Sequence, residues 1–126
     1  MSKKIINTTH APAAIGPYSQ AVLSGNTLYC SGQIAIDPST GNLMLDSIEA
    51  ETHQVMKNIK ALLTAADMDY NHIIKTSIFL SDMNQFAQVN EIDASYLQQP
   101  YPARETVQVA KLPKGVNIEI TVIASH

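Results

Sequence analysis

The stretch DSIEAETHQVMKNIKALLTAADMDYNHIIKTSIFL, residues 46–80, changes its hydrophobic period once, and that change decides the fold. In its first half Ile48, Val55, Ile59, Leu62, Leu63 and Ala66 recur on one stripe of a 3.6-residue period, while Glu51, Lys57 and Lys60 fall off it. Asp46-Ser47-Ile48-Glu49 reads as a capping box, with Glu three residues after Asp. The stripe predicts an amphipathic helix ending near Ala66-Asp67, with Asp67 in the left-handed position often given to Gly or Asn. Ile73 to Leu80 is rich in β-branched residues and bounded by polar ones, which predicts a strand.

The flanks extend this alternation. Gly25-Asn26 separates Ala21-Val22-Leu23 from Leu28-Tyr29-Cys30 and predicts a tight hairpin. Pro38-Ser39-Thr40-Gly41 is a turn cluster. Asp82 to Gln85 is a second helix start, followed by Phe86, Val89, Asp93 and Tyr96 or Leu97 at helical spacing. Pro100-Tyr101-Pro102 forces an extended lead-in to a short strand over Thr106–Val109. Leu112-Pro113-Lys114-Gly115 is a turn, and Asn117 to Ala124 alternates cleanly as a last strand. The expected order is β-β-α-β-α-β-β: an α+β fold in a single domain over residues 1–126, with two helices packed on one face of a mixed sheet.

Composition narrows the function classes. The chain of 126 residues is 45% apolar and 15% charged, a globular balance. Its net charge is −3 and its eight Lys and Arg are scattered, which disfavours a phosphate-neutralising surface, so no nucleic-acid partner is expected. Cys30 stands alone, which fits a reducing compartment and the role of a small buried hydrophobe. Lys3-Lys4 is followed only by Ile5-Ile6, too short for a signal-peptide core, and no run reaches membrane-span length. A cytoplasmic protein without a membrane partner is expected. His10, His53, His72 and His126 are not paired at ligand spacing, so no metal is expected, and the five glycines form no phosphate loop.

Period-2 parity predicts two unlike sheet faces. Ile118, Ile120, Val122 and Ala124 share an aliphatic face with Ile74, Thr76, Ile78 and Leu80, with Leu28, Cys30 and Gly32, and with Val107 and Val109. The other face collects Ser31, Ser77, Thr106, Gln108, Glu119 and Thr121, mixed with Tyr29, Phe79 and Ile123, and Arg104 shares its parity. This mixture suits a subunit interface around clefts; a plain wet face is the other reading. Arg104, held by the stiff segment before it, is either a two-point anchor for a carboxylate or an ordinary ion-pair partner of Glu105 or Glu119. Glu119, an acid inside an apolar strand, either handles protons near neutral pH or pairs with Arg104 or Lys75.

Several separated motifs then agree. Ala13-Ala14-Ile15-Gly16-Pro17-Tyr18-Ser19-Gln20-Ala21, Ser31-Gly32-Gln33-Ile34, Asn58-Ile59-Lys60-Ala61-Leu62-Leu63, Val89-Asn90, Pro102-Ala103-Arg104, Leu112-Pro113 and Ile118-Glu119-Ile120 together resemble the Rid/YjgF family nearly end to end, most closely its reactive intermediate deaminase A branch. The resemblance implies a chorismate-mutase-like fold and a homotrimer with clefts between subunits. It implies cofactor-free hydrolysis of small 2-imino acids, as a 2-iminobutanoate/2-iminopropanoate deaminase, to 2-keto acids and ammonia. In its terms Arg104 clamps the substrate carboxylate and Glu119 lies near the attacking water. Tyr18, Ser31 and Asn90 match cleft positions, and the backbone of Thr106 lines the cleft. Glu105 stands where relatives usually carry a small residue, and Thr121 where many carry an acid; parity points Glu105 away from Arg104. A non-enzymatic trimer that binds a small carboxylate and regulates metabolic enzymes is the rival reading. RNA cleavage, a label given to some relatives, sits poorly with the acidic balance.

Overall fold

The predicted change of period is present in a computed structural model that describes residues 3–126. The helix α1 spans Ile48–Ala65 and buries Val55, Met56, Ile59, Leu62 and Leu63. Each such side chain removed from water stabilises the fold by roughly 1.5–3 kcal/mol. The cap is one residue from its expected place: Ser47, not Asp46, accepts from the Ala50 amide. Asp67 has φ of 58°, as its position after the helix required. The strand β4 spans Ile73–Leu80 and the second helix, α2, spans Phe86–Ser95 after a short 3₁₀ turn.

The hairpin forms as β2 (Ala21–Ser24) and β3 (Thr27–Cys30), with Gly25 at φ of 60°. The last two strands are β5 (Ala103–Gln108), which starts three residues before its expected place, and β6 (Ile118–Ser125). One strand was not anticipated. Residues Lys3–Ile6 form β1, an edge strand antiparallel to β2, so the order is β-β-β-α-β-α-β-β. The sheet order is β1-β2-β3-β6-β4-β5, and only β4 and β5 run parallel. The α+β expectation therefore holds, with two helices packed on a mixed sheet of six strands. No helix among the described residues is long and apolar enough to cross a membrane.

Three local features depart from the sequence pattern. A bulge between Ile73 and Lys75 resets parity, so Ile73 is buried and Ile74 is exposed instead of joining the aliphatic face. The strand β3 ends at Cys30, and parity fails beyond it: Gln33 is buried while Gly32 is exposed. Glu51, expected off the buried stripe, is fully buried. Its carboxylate accepts from the amides of Asn117 (2.7 Å) and Ile118 (3.1 Å) and from Asn117 Nδ2 (2.8 Å). A buried charge persists where donors satisfy it, and these donors open β6.

Candidate active site

The faces of β5 follow from its register. In a parallel pair, aligned residues share a face. Arg104 aligns with buried Thr76, Thr106 with Ile78, and Gln108 with Leu80, so all three turn toward the helices. Glu119 aligns with Phe79 and Thr121 with Ser77, on the open face. The expectation that Arg104, Thr106 and Gln108 share a face with Glu119 is therefore corrected: in one chain Arg104 and Glu119 lie on opposite sides of the sheet. Val107 was assigned to the core as an apolar residue. On this edge strand it aligns with Phe79 and stays 42% exposed.

Two clefts result. The first, of about 420 Å³, lies between α2 and the start of β5 and includes Arg104, Asn90, Asp93, Thr76 and Tyr101. Arg104 Nη1 donates to Asn90 Oδ1, and the guanidinium sits 5.5 Å from the Phe86 ring centroid. Both contacts come from α2 and fix the fork while leaving donors for a ligand. Among the described residues no carboxylate lies within ion-pair distance of Arg104. Glu105 is instead held on the open face by Ser77 Oγ, which donates to Glu105 Oε2, and by Lys75 Nζ at 3.4 Å from Oε1. Those contacts hold the Glu105 carboxyl below the usual carboxylate range. The expectation that Glu105 points away from Arg104 agrees with this geometry.

The second cleft, of about 310 Å³, includes Tyr18, Gly32, Ile15, Lys114 and Glu119. The missing side chain of Gly32 makes room for the acid. A Cβ there would lie 2.8 Å from Glu119 Cδ and closer still to Oε2. Burial raises the pKa of Glu119. Buried Gln20 shapes the wall: its Nε2 donates to the carbonyls of Thr8, Ala11 and Pro12, and its Oε1 accepts from the Thr8 amide. Ser31 Oγ donates to the Ser19 carbonyl at 2.6 Å, and Tyr18 Oη accepts from the Ile15 amide at 3.3 Å. Tyr18 and Glu119 thus share the second cleft, with Ser31 next to its Gly32 but not in its lining, and Arg104 and Asn90 share the first, on the other side of the sheet. Thr106 Oγ1 is buried and has no hydrogen-bond partner among the described residues. Sequence reasoning gave no role to Gln20, Asp93 or Glu51; for Asp93 and Glu51 the available signal was a carboxylate at helical spacing from the buried Val89 and Val55.

Cys30 is buried, and desolvation pushes its thiol up to about 12, which fits an inert hydrophobe. Among the described residues no group of three or more His, Cys, Asp or Glu side chains is placed to hold a metal ion.

Fold and clefts define a small α+β protein with a recess that holds Arg104 on one sheet face and a recess that holds Glu119 on the other. Over residues 8–126 the chain matches the profile of the family described as Endoribonuclease L-PSP, and it belongs to that family, the Rid/YjgF proteins. It is 50% identical over 122 residues to the 2-iminobutanoate/2-iminopropanoate deaminase of Mus musculus, covering 97% of this chain and 90% of that protein. A Yersinia pestis structure described as YyfA of the conserved Rid protein family superposes with a TM-score of 0.96 at 49% identity, covering 99% of this chain and 100% of that one. E. coli TdcF with bound serine superposes with a TM-score of 0.93 at 41% identity, covering 98% of each chain.

Proposed function

We propose that this chain is a 2-iminobutanoate/2-iminopropanoate deaminase, acting without a cofactor as one domain in the cytoplasm. The observation that carries the reading is Arg104: a guanidinium oriented from α2, unpaired with any described carboxylate, facing a recess of substrate size. The half-identity to a protein of that name, over nearly the whole chain, supports the same reaction.

The chemistry needs little more. Arg104 takes the substrate carboxylate through two parallel hydrogen bonds. The imine is electrophilic once protonated, so water adds to its carbon and forms a carbinolamine. Glu119 accepts the proton lost by that water and returns it to the nitrogen; the carbon–nitrogen bond then breaks with its electron pair on nitrogen, the carbinolamine hydroxyl gives its proton back to Glu119 as the carbonyl forms, and a 2-keto acid and ammonia leave. Positioning dominates, because such imines also hydrolyse unaided.

Arg104 and Glu119 lie on opposite faces of one sheet, so one chain alone offers half of this site at each cleft. We infer that copies of the chain complete it, as a homotrimer with clefts between subunits. The open face fits this role: Tyr29 and Val107 are exposed there, beside Ile123 and Phe79. Tyr18, Ser31 and the Thr106 backbone then line the shared cleft.

Imine freshly generated by an amino-acid dehydratase and trapped at intervals tests the reading. Faster decay with the protein, lost in Arg104→Ala, is expected; equal decay with and without the protein refutes it. A regulatory trimer predicts saturable keto-acid binding without turnover. RNA cleavage, the activity in the family's description, meets a chain of net charge −3.

A further inference from the structure

Asp93 is an acid on the inner face of an amphipathic helix. It occupies the stripe of Val89 in α2 and is only 2% exposed, yet it faces the cleft beneath Arg104. Among the described residues no hydrogen bond reaches its carboxylate, and Arg104 faces it without coming to ion-pair distance. Burial pushes the Asp93 carboxyl up from its ordinary value and opposes its ionisation, and the Arg104 guanidinium offsets part of that shift. A carboxylate kept at that cost, with a cation across a gap, is arranged for a guest that bridges the two.

The guest's orientation follows from the sheet. Its carboxylate sits on Arg104, and its reacting carbon must face the acid supplied across the subunit boundary. The end remote from that boundary enters the recess under α2, where Asp93, Thr76, Asn90 and Tyr101 line the wall. We propose that Asp93 is a specificity-determining residue that accepts a hydrogen bond from the side chain of the bound 2-imino acid, selecting side chains that end in a hydroxyl or ammonium group over plain alkyl chains. Oxidation of the α-amino group of a hydroxylated or basic amino acid is the class of reaction that supplies such an imine. The proposal rests on the reading that Arg104 takes the substrate carboxylate.

The test compares 2-ketobutanoate with its 4-hydroxy derivative, both stable product analogues, by calorimetric titration of the full-length protein. The wild type is expected to bind the hydroxylated compound about tenfold tighter, the worth of one hydrogen bond to a charged group. In Asp93→Val that preference disappears; in Asp93→Asn, which retains an acceptor, part of it survives. Equal wild-type affinity for both compounds overturns the proposal, whether or not the valine variant folds. An equal loss for both compounds in Asp93→Val also overturns it, since Asp93 then acts through the common carboxylate clamp. Absence of imine turnover refutes the deaminase reading alone, because each arm here measures binding. Turnover of imine without binding of either keto acid overturns the selectivity proposal alone.

Discussion

Replacing Gly32 with Ala adds one carbon atom at the glycine that has the least room for it of the five. The new Cβ would lie 2.8 Å from Glu119 Cδ and 3.1 Å from Cγ. Carbon atoms rest at about 3.5–4.0 Å from one another, so the carboxyl group must retreat by about 1 Å. Gly32 is exposed and its backbone is not left-handed, so the chain accommodates Ala there without backbone strain. The displacement therefore falls on Glu119, and a misplacement of about 1 Å in a reacting group lowers a rate about 100-fold. Stability is expected to change by less than about 1 kcal/mol. The assay pairs kcat/KM for dehydratase-generated imine with a urea midpoint on the same preparation. An unchanged kcat/KM in a folded Gly32→Ala variant would refute the placement of Glu119 at the reacting water.

Other perturbations read other parts of the structure. Glu51→Ala strands the amides of Asn117 and Ile118 in the interior, at about 1–3 kcal/mol each, and should lower the urea unfolding free energy by about 3 kcal/mol; a loss below about 1 kcal/mol contradicts the anchor. Arg104→Lys keeps the charge but loses the planar fork, so kcat/KM should fall about 10- to 100-fold with an unchanged circular-dichroism spectrum. Glu119 has its pKa raised by burial, so the acid limb of the kcat/KM profile should lie above the ordinary glutamate value and vanish in Glu119→Gln. The folded chain holds this proton at pH values where the unfolded chain releases it. Stability from this group is therefore greatest below the ordinary pKa and falls as pH rises through the raised one, a slope that urea titrations of Glu119→Gln should lack. Finally, Arg104→Ala and Glu119→Gln subunits, unfolded together and refolded as a mixture, should regain about a quarter of wild-type activity, the chance that an intact arginine meets an intact glutamate across a shared cleft; no recovery would contradict the inter-subunit site.

Local periodicity made most of the elements legible. The stripe from Ile48 to Ala66 and the run from Ile73 to Leu80 carry their own secondary structure, and α1 and β4 lie where those patterns put them. The strand Lys3–Ile6 carries only two apolar residues after two lysines, too little pattern to mark it; its pairing with β2 makes it a strand. Strand faces were legible within a segment but not between segments. Alternation over residues 104–109 separates two sets of side chains without saying which set meets the helices. That follows from the alignment of Arg104 with Thr76, a contact across α2 that no local pattern contains. Glu51 falls at helical spacing between Ile48 and Val55, so geometry alone places it inside; its charge argued otherwise because its partners come from β6, far along the chain.

The position of β5 at the margin of the sheet has a mechanical consequence. Arg104 rides on a strand bonded on one side only, whereas Glu119 rides on β6, flanked by β3 and β4. Local opening begins where backbone hydrogen bonds have solvent on one side, so the two halves of the candidate site belong to regions of unequal rigidity. The carboxylate clamp can breathe while the acid stays fixed. Amide exchange should be slow through Ile118–Ser125 and faster through Ala103–Gln108, and a bound keto acid should slow the second segment more than the first. Ligand capture in this protein is then partly the stiffening of a sheet edge, and an occupied cleft reinforces a strand that the sheet supports on one side only.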